Sequence, residues 1–338
     1  MKALFSILFL VIILAMGAAA AGWIWFNDAV TRAGPSDADT VFQVNRGESL
    51  VSVADRLETQ GVIPDARLMR LKARLDGVET DIKAGEFELP ARASIAGILA
   101  RLVEGDTVQY RITIPEGLTT AQALRIISAN ETLTGDLPDP EPAEGALLPD
   151  TYLFTRGTSR ADLAARMADA QDDLLDELWP ERAADTPVTS REDAIILASV
   201  VQKEAGSLEE IDLVAGVFAN RLERGIPLQS DPTVIYGVSR GEPLYNQRGE
   251  RRTLYRSELD RETPWNTYLI PGLPETPICN PGRAAISAVL NPADTDYIFF
   301  VADGTGGHAF AETLAEHNRN VAAYRRYEAE EIARERAE

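Results

Sequence analysis

The chain has 338 residues, 53 of them acidic and 33 basic, for a formal net charge of −20. That balance argues against nucleic acid or an anionic surface as partner. Its single cysteine, Cys279, excludes an internal disulfide, so stability must come from packed cores, and the length allows an anchor and two subdomains.

After Met1 and Lys2, residues 3–26 carry no charge, a run long enough to cross a hydrocarbon core of about 30 Å. A cleaved signal peptide is the competing reading, with Ala18 to Ala21 as small residues for cleavage. The run exceeds the roughly 7–15 apolar residues of a signal peptide, and Trp23 and Trp25 stand where an interfacial aromatic belt belongs. The expectation is an uncleaved single-pass anchor over residues 4–26, with residues 1–3 as a cytoplasmic stub. Lys2 and the amino terminus keep that end inside, and the rest lies on the far side.

Residues 27–40 are small and polar and read as a stalk. A strand at 41–44, a turn at 45–49, and Leu50, Val53, Ala54 and Leu57 at helical spacing follow. The same order returns at 110–114, Gly117, and Ala121, Leu124, Ile126 and Ile127, with Gly47 and Gly117 70 residues apart. Another strand and helix, 85–89 and 94–103, lie between. Strand, G-E-S-L and amphipathic helix over 41–62 resembles LysM modules, which bind glycans of N-acetylglucosamine. A generic strand–turn–helix unit with a capped helix fits the same residues. The expected LysM-like subdomain is 41–108. Residues 138–142, P-D-P-E-P, form a stiff acidic linker or loop. Helices are expected at 161–178, 190–205 and 209–223, a buried strand at 296–301, a terminal helix from Glu312 and a charged tail at 328–338. The fold class is α+β: a transmembrane helix, a small α+β subdomain and a larger α+β one.

Within S-R-E-D-A-I-I-L-A-S-V-V-Q-K-E-A-G, residues 190–206, Ser190 is a candidate N-cap and only Ser199 interrupts the apolar run 194–201. Glu204 follows Leu197 by seven, Val200 by four and Val201 by three, which continues one stripe of the helix, and Gly206 supplies a stop. A carboxylate in that stripe is partly desolvated, which raises its pKa towards a range useful for proton transfer. A last-turn glutamate pointing into water fits the spacing too.

Other chemistries find little support. His308 and His317 are the only histidines, and no metal-ligand spacing or other cofactor motif exists. No nucleophile elbow is present, and G-T-G-G-H-A at 304–309 lacks the second strand of a dinucleotide-binding unit. Polar density gathers in the proline-rich segments 228–237, 264–274 and 277–282, whose Asp, Asn, Tyr and Trp suit carbohydrate, and equally make well-formed turns.

Seven segments then resemble one family: E-G-A-L-L-P-D-T-Y from Glu144, I-L-A-S-V-V-Q-K-E-A from Ile196, F-A-N-R-L from Phe218, L-Q-S-D-P-T-V-I-Y-G from Leu228, W-N-T-Y from Trp265, G-L-P-E-T-P-I-C-N-P-G from Gly272 and F-V-A-D-G-T-G-G-H-A-F from Phe300. In this order they resemble the YceG-like family, from about residue 41 to 324. The resemblance implies a catalytic domain over 109–327 and an inner-membrane lytic transglycosylase. Such an enzyme cuts nascent peptidoglycan strands internally beside the peptidoglycan synthases, with glycan strands as substrate and no cofactor. The catalytic glutamate falls on Glu204, second acidic position of the family's E-K-E; the first is Gln202 here, a departure. One carboxylate suffices for this chemistry, because the C6 hydroxyl of N-acetylmuramic acid attacks its own anomeric carbon. Ser230, Asp231, Asn266 and Tyr268 are placed around the sugar. The alternatives are a non-catalytic glycan-binding scaffold and a hydrolytic muramidase pairing Glu204 with Asp231.

Overall fold

The structure, a computed structural model, describes residues 2–335; Met1 of the expected stub and residues 336–338 of the charged tail lie outside the described residues. Helices and strands mix, as the sequence predicts. The chain divides into two compact units, Met1–Tyr110 with Leu153–Thr158, and Arg111–Tyr152 with Ser159–Glu338.

The first unit opens with helix α1 (Lys2–Thr31). Its segment Phe5–Thr31 has 27 residues and is long and apolar enough to cross a membrane. The helix does not stop at residue 26: five residues of the expected stalk are helical, and Phe26 and Val30 are buried in the core of this unit. Apolar positions four apart share a face, so the end of α1 docks while Trp23 and Trp25 stay exposed. Strand β1 (Thr40–Val44), α2 (Leu50–Thr59), α3 (Ala66–Asp76), β2 (Gly85–Leu89) and α4 (Ile95–Glu104) follow. β1 and β2 pair antiparallel, Phe42 opposite Phe87, and bury both rings. Gly47 takes φ 75° in the turn, and Ser49 caps α2 by accepting the Ser52 N–H. α3 was not expected; its buried positions are only Ala66, Met69 and Ala73, too thin a stripe to read against a polar background. Glu86 accepts hydrogen bonds from Tyr110 and, at 3.1 Å, from Arg156. Those bonds, Tyr110's foremost, hold its carboxyl below the usual range.

Strands β3 (Gln109–Thr113) and β4 (Thr151–Thr155) are paired, with α5 (Thr120–Ala129) between them in sequence. The 138–142 stretch is a loop between α5 and β4. Beyond come α6 (Arg160–Leu178), α7 (Arg191–Glu204), α8 (Ile211–Glu223), α9 (Asp231–Ser239), α10 (Arg256–Leu259) and α11 (Arg283–Leu290). Strands β5 (Phe299–Ala302) and β6 (His308–Ala311) and helix α12 (Leu314–Glu335) complete the chain. α7, α8 and α11 pack together and supply most of the second core. β4, α10, α11 and β6 were not expected, and two further segments differ from expectation. Residues 231–239 form a helix where a proline loop was expected, because Pro232 sits in the first turn and needs no N–H partner. The expected buried strand 296–301 starts only at Phe299 and is half-buried, since a two-stranded hairpin with β6 can cover one face only.

Candidate active site

The helix that carries Glu204 is a core helix. Ser190 caps it by accepting the Asp193 N–H at 3.0 Å, and every residue from Ala194 to Val201 is buried. Ser199, the one hydroxyl in that run, donates to Ile196 O and accepts the Ile278 N–H, so it is satisfied and pins the P-I-C-N-P loop to the helix. Cys279 is buried there, and burial pushes its thiol pKa up. The helix ends at Glu204, where Ala205 turns extended. Gly206 does more than stop it: a side chain there would meet Gly306 O at 3.0 Å and His308 Cε1 at 3.6 Å, so a glycine lets the β5–β6 turn approach.

Glu204 sits in a cavity of about 390 Å³ together with Arg221, Gln229, Asp231, Tyr268 and His317, walled by Phe299 and Phe300. Burial raises its pKa above the ordinary value; the Ser230 hydrogen bond opposes, Asp231's charge adds to the rise, and His308 and Arg221 oppose. Ser230, 1% exposed, donates its hydroxyl to Glu204 Oε1 at 2.7 Å. The serine is itself fixed. Its N–H donates to Thr267 Oγ1 at 3.0 Å, and its carbonyl accepts from Thr233 Oγ1 at 2.6 Å. The preceding Gln229 takes φ 53°, a conformation disfavoured for a side chain of this kind, with its N–H on Thr267 O. Asp231 is exposed at the start of α9 and accepts the Tyr268 hydroxyl at 2.8 Å. Burial, then the bond to Asp231, keep Tyr268 protonated by pushing its pKa up.

The structure therefore brings Glu204, Ser230, Asp231 and Tyr268 together, and it removes Asn266. That side chain is fully buried: Nδ2 donates to Leu259 O and Arg261 O, each at 2.8 Å, and Oδ1 accepts the Tyr268 N–H. With its amide engaged inward, Asn266 shapes the loop that presents Tyr268 and has nothing left for a sugar. Asn280 does the same elsewhere, accepting the Leu147 N–H and donating to Leu118 O. Gln202 also lies apart from the cavity, its Oε1 accepting the Gly282 N–H at 2.9 Å.

Arg221, Thr233, Thr267, Phe299 and His317 were missed. Arg221 had a readable signal: it follows Val217 by four and Phe218 by three, a charge in a buried stripe as Glu204 is. It is 8% exposed and spends Nε on Ile298 O at 2.7 Å and Nη1 on Leu228 O at 2.8 Å. His317 stacks on Phe299 with ring centroids 5.0 Å apart, whereas His308 is held by Glu210, Nδ1 to Oε2 at 2.9 Å. Nothing local in the sequence joins these rings to Glu204.

Comparison with known proteins adds a second line of observation. The YceG-like family matches residues 42–323. An endolytic murein transglycosylase of Bacillus subtilis (strain 168) is 28% identical over 322 residues, 85% of this chain and 86% of that protein. One of Streptococcus pneumoniae (strain R6) is 28% identical over 323 residues, 83% of this chain and 57% of a longer protein. The crystal structure of a YceG-like protein from Listeria monocytogenes matches with a TM-score of 0.50 at 26% identity, covering 84% of this chain and 99% of that one.

Proposed function

This chain belongs to the YceG-like family, and on that premise we propose that it is an endolytic murein transglycosylase, cleaving the MurNAc–GlcNAc bond of nascent peptidoglycan to leave a 1,6-anhydro-MurNAc end. The observation that carries the reading is Glu204, a carboxyl with a raised pKa in a cavity where a hydroxyl, Ser230, already bonds one of its oxygens. Protonated at rest, it gives its proton to the glycosidic oxygen as the C1–O bond breaks. The carboxylate so formed then takes the proton of the MurNAc C6 hydroxyl as that oxygen bonds to C1. The ring closes, no water is consumed, and Glu204 is protonated again for the next turn. Asp231, with Tyr268 donating to it, lies at the same cavity and suits a hydrogen-bonding role towards sugar hydroxyls and the developing oxocarbenium charge.

Asp231 also supports a second reading, a hydrolytic muramidase with two carboxylates. Mass spectrometry of the ends formed from purified glycan strands separates the two: anhydro ends are lighter by one water than reducing ends. Glu204→Gln is expected to abolish the anhydro product while leaving the fold intact; a variant that still forms it sinks the assignment, and absence of any cleavage by the unaltered chain favours a binding scaffold.

The anchor reading extends the same proposal. α1 serves as a single inner-membrane span with a cytoplasmic N-terminus, and its docked end at Phe26 and Val30 ties the first unit to the bilayer, near the synthases that extrude the strand. The LysM-like reading of that unit rests on G-E-S-L at 47–50 and its capped helix.

A further inference from the structure

A second cavity, of about 360 Å³, lies beside the first in the same unit, and the proposed chemistry leaves it without an occupant. Chain neighbours divide between the two: Lys203 lines this one and Glu204 the other, Pro232 this one and Asp231 the other. The two segments that present Glu204 and Asp231 therefore form a wall common to both cavities. Ile235, Tyr236, Leu244 and Ile278 make this cavity largely apolar, and its rim is charged. Glu242 on that rim is neutralised by Arg125 at 2.5 Å. Arg252 is chelated by Glu258, with bonds of 2.7 and 2.8 Å. Two cations remain. Lys203 donates only to a backbone carbonyl, Gly117 O at 3.2 Å, and among the described residues neither Lys203 nor Arg251 has an ion-pair partner. In a chain with 53 acidic residues against 33 basic ones, two cations left without a carboxylate at one cavity form a local positive site in a negative field.

The geometry points to this cavity as the binding site for the acidic peptide stem carried by the muramic acid whose bond is cut. The inference rests on the proposed transglycosylase reading. In peptidoglycan the peptide hangs from the lactyl ether on the same sugar ring whose C1 meets Glu204, so it must leave that ring within reach of the catalytic cavity. A stem presents free carboxylates on a short, partly apolar chain, which matches two unpaired cations above an apolar floor. Charge-assisted bonds from Lys203 and Arg251 to those carboxylates would make the enzyme prefer strands that still carry their peptides.

The test uses the full chain in detergent on two substrates, strands with intact stems and strands stripped by an amidase. The unaltered enzyme is expected to show a lower KM on stemmed strands, and Arg251→Glu to shrink that preference about tenfold, as loss of a bond to a charged group does. Arg256→Glu, an exposed charge reversal on α10 outside the cavity, should keep the preference. Binding is measured separately by calorimetry in the Glu204→Gln background, with N-acetylmuramoyl-L-alanyl-γ-D-glutamate as probe against N-acetylmuramic acid. Tighter binding of the peptide probe that weakens with Arg251→Glu supports the site even if no strand is cut, which would instead count against the transglycosylase reading. Anhydro ends formed equally from both substrates, or a peptide probe that binds no better than the sugar alone, overturns the stem site and leaves the reaction standing.

Discussion

Removing the Ser230 hydroxyl perturbs the catalytic proton directly. In Ser230→Ala, Glu204 loses the 2.7 Å bond to its Oε1, the main influence opposing the rise of its pKa. A hydrogen bond to a charged group is worth about 1.5–3 kcal/mol, and one pKa unit corresponds to about 1.4 kcal/mol. The full bond would thus raise the pKa by about one to two units; water entering an open cavity replaces part of it, so about one unit is expected. Because the protonated form is the acid, activity falls as pH rises through this pKa, and the alkaline limb of kcat/KM should move up by about one pH unit. The profile is followed by release of anhydro ends, with the carboxyl carbon of Glu204 titrated by NMR in the free enzyme. A limb and a titration that stay in place, or move down, would refute both the hydrogen bond's role and the protonated resting state.

The neighbouring carboxylate gives the opposite sign. Asp231→Asn removes a charge that raises the Glu204 pKa, so the same limb should shift down, and an upward shift would count against the electrostatic account. Glu204→Gln should alter stability with pH. The folded pKa lies above the unfolded value of about 4.3, so the native state holds more protons between the two values, and the stabilisation present below the unfolded pKa is lost as pH rises through the folded one. The variant escapes that loss: its Tm is expected to exceed the parent's increasingly as pH rises, with the gap closing near pH ~4; a gap independent of pH would contradict this. Asn266→Ala leaves two carbonyls and one N–H without their partner, and should cost about 3 kcal/mol in urea unfolding at about 1 kcal/mol or more for each orphaned group. Native stability combined with weakened sugar binding would restore the contact role that the sequence had given it.

Much of the architecture was legible because it is local. The α7 stripe, its Ser190 cap and the placement of Glu204 at its end follow from spacing alone, and the structure keeps all three. Ser49 and Thr119 cap α2 and α5 after glycines at φ 75°, as the repeated order at 47 and 117 implied. α3, α9 and α11 were missed: the first for its thin apolar stripe, the second because a proline in the first turn was taken for a loop, and the third because it is short and follows directly on the proline-rich stretch 277–282.

The sequence by itself determined that Glu204 continues the apolar stripe of a helix, that an apolar segment able to span a membrane lies near the N-terminus, and that ordered motifs join the chain to one family. Periodicity and composition carry such facts within a few turns of chain. Only the tertiary structure decided which way each polar loop residue faces. Ser230 and Asn266 look alike in sequence, both polar and both two residues from a proline, yet one bonds Glu204 and the other is used up on backbone carbonyls. That choice depends on Thr267 arriving beside Ser230 from 37 residues away and on how the chain before Asn266 folds Leu259 and Arg261 back onto it, and a buried polar group takes whichever partner is brought to it.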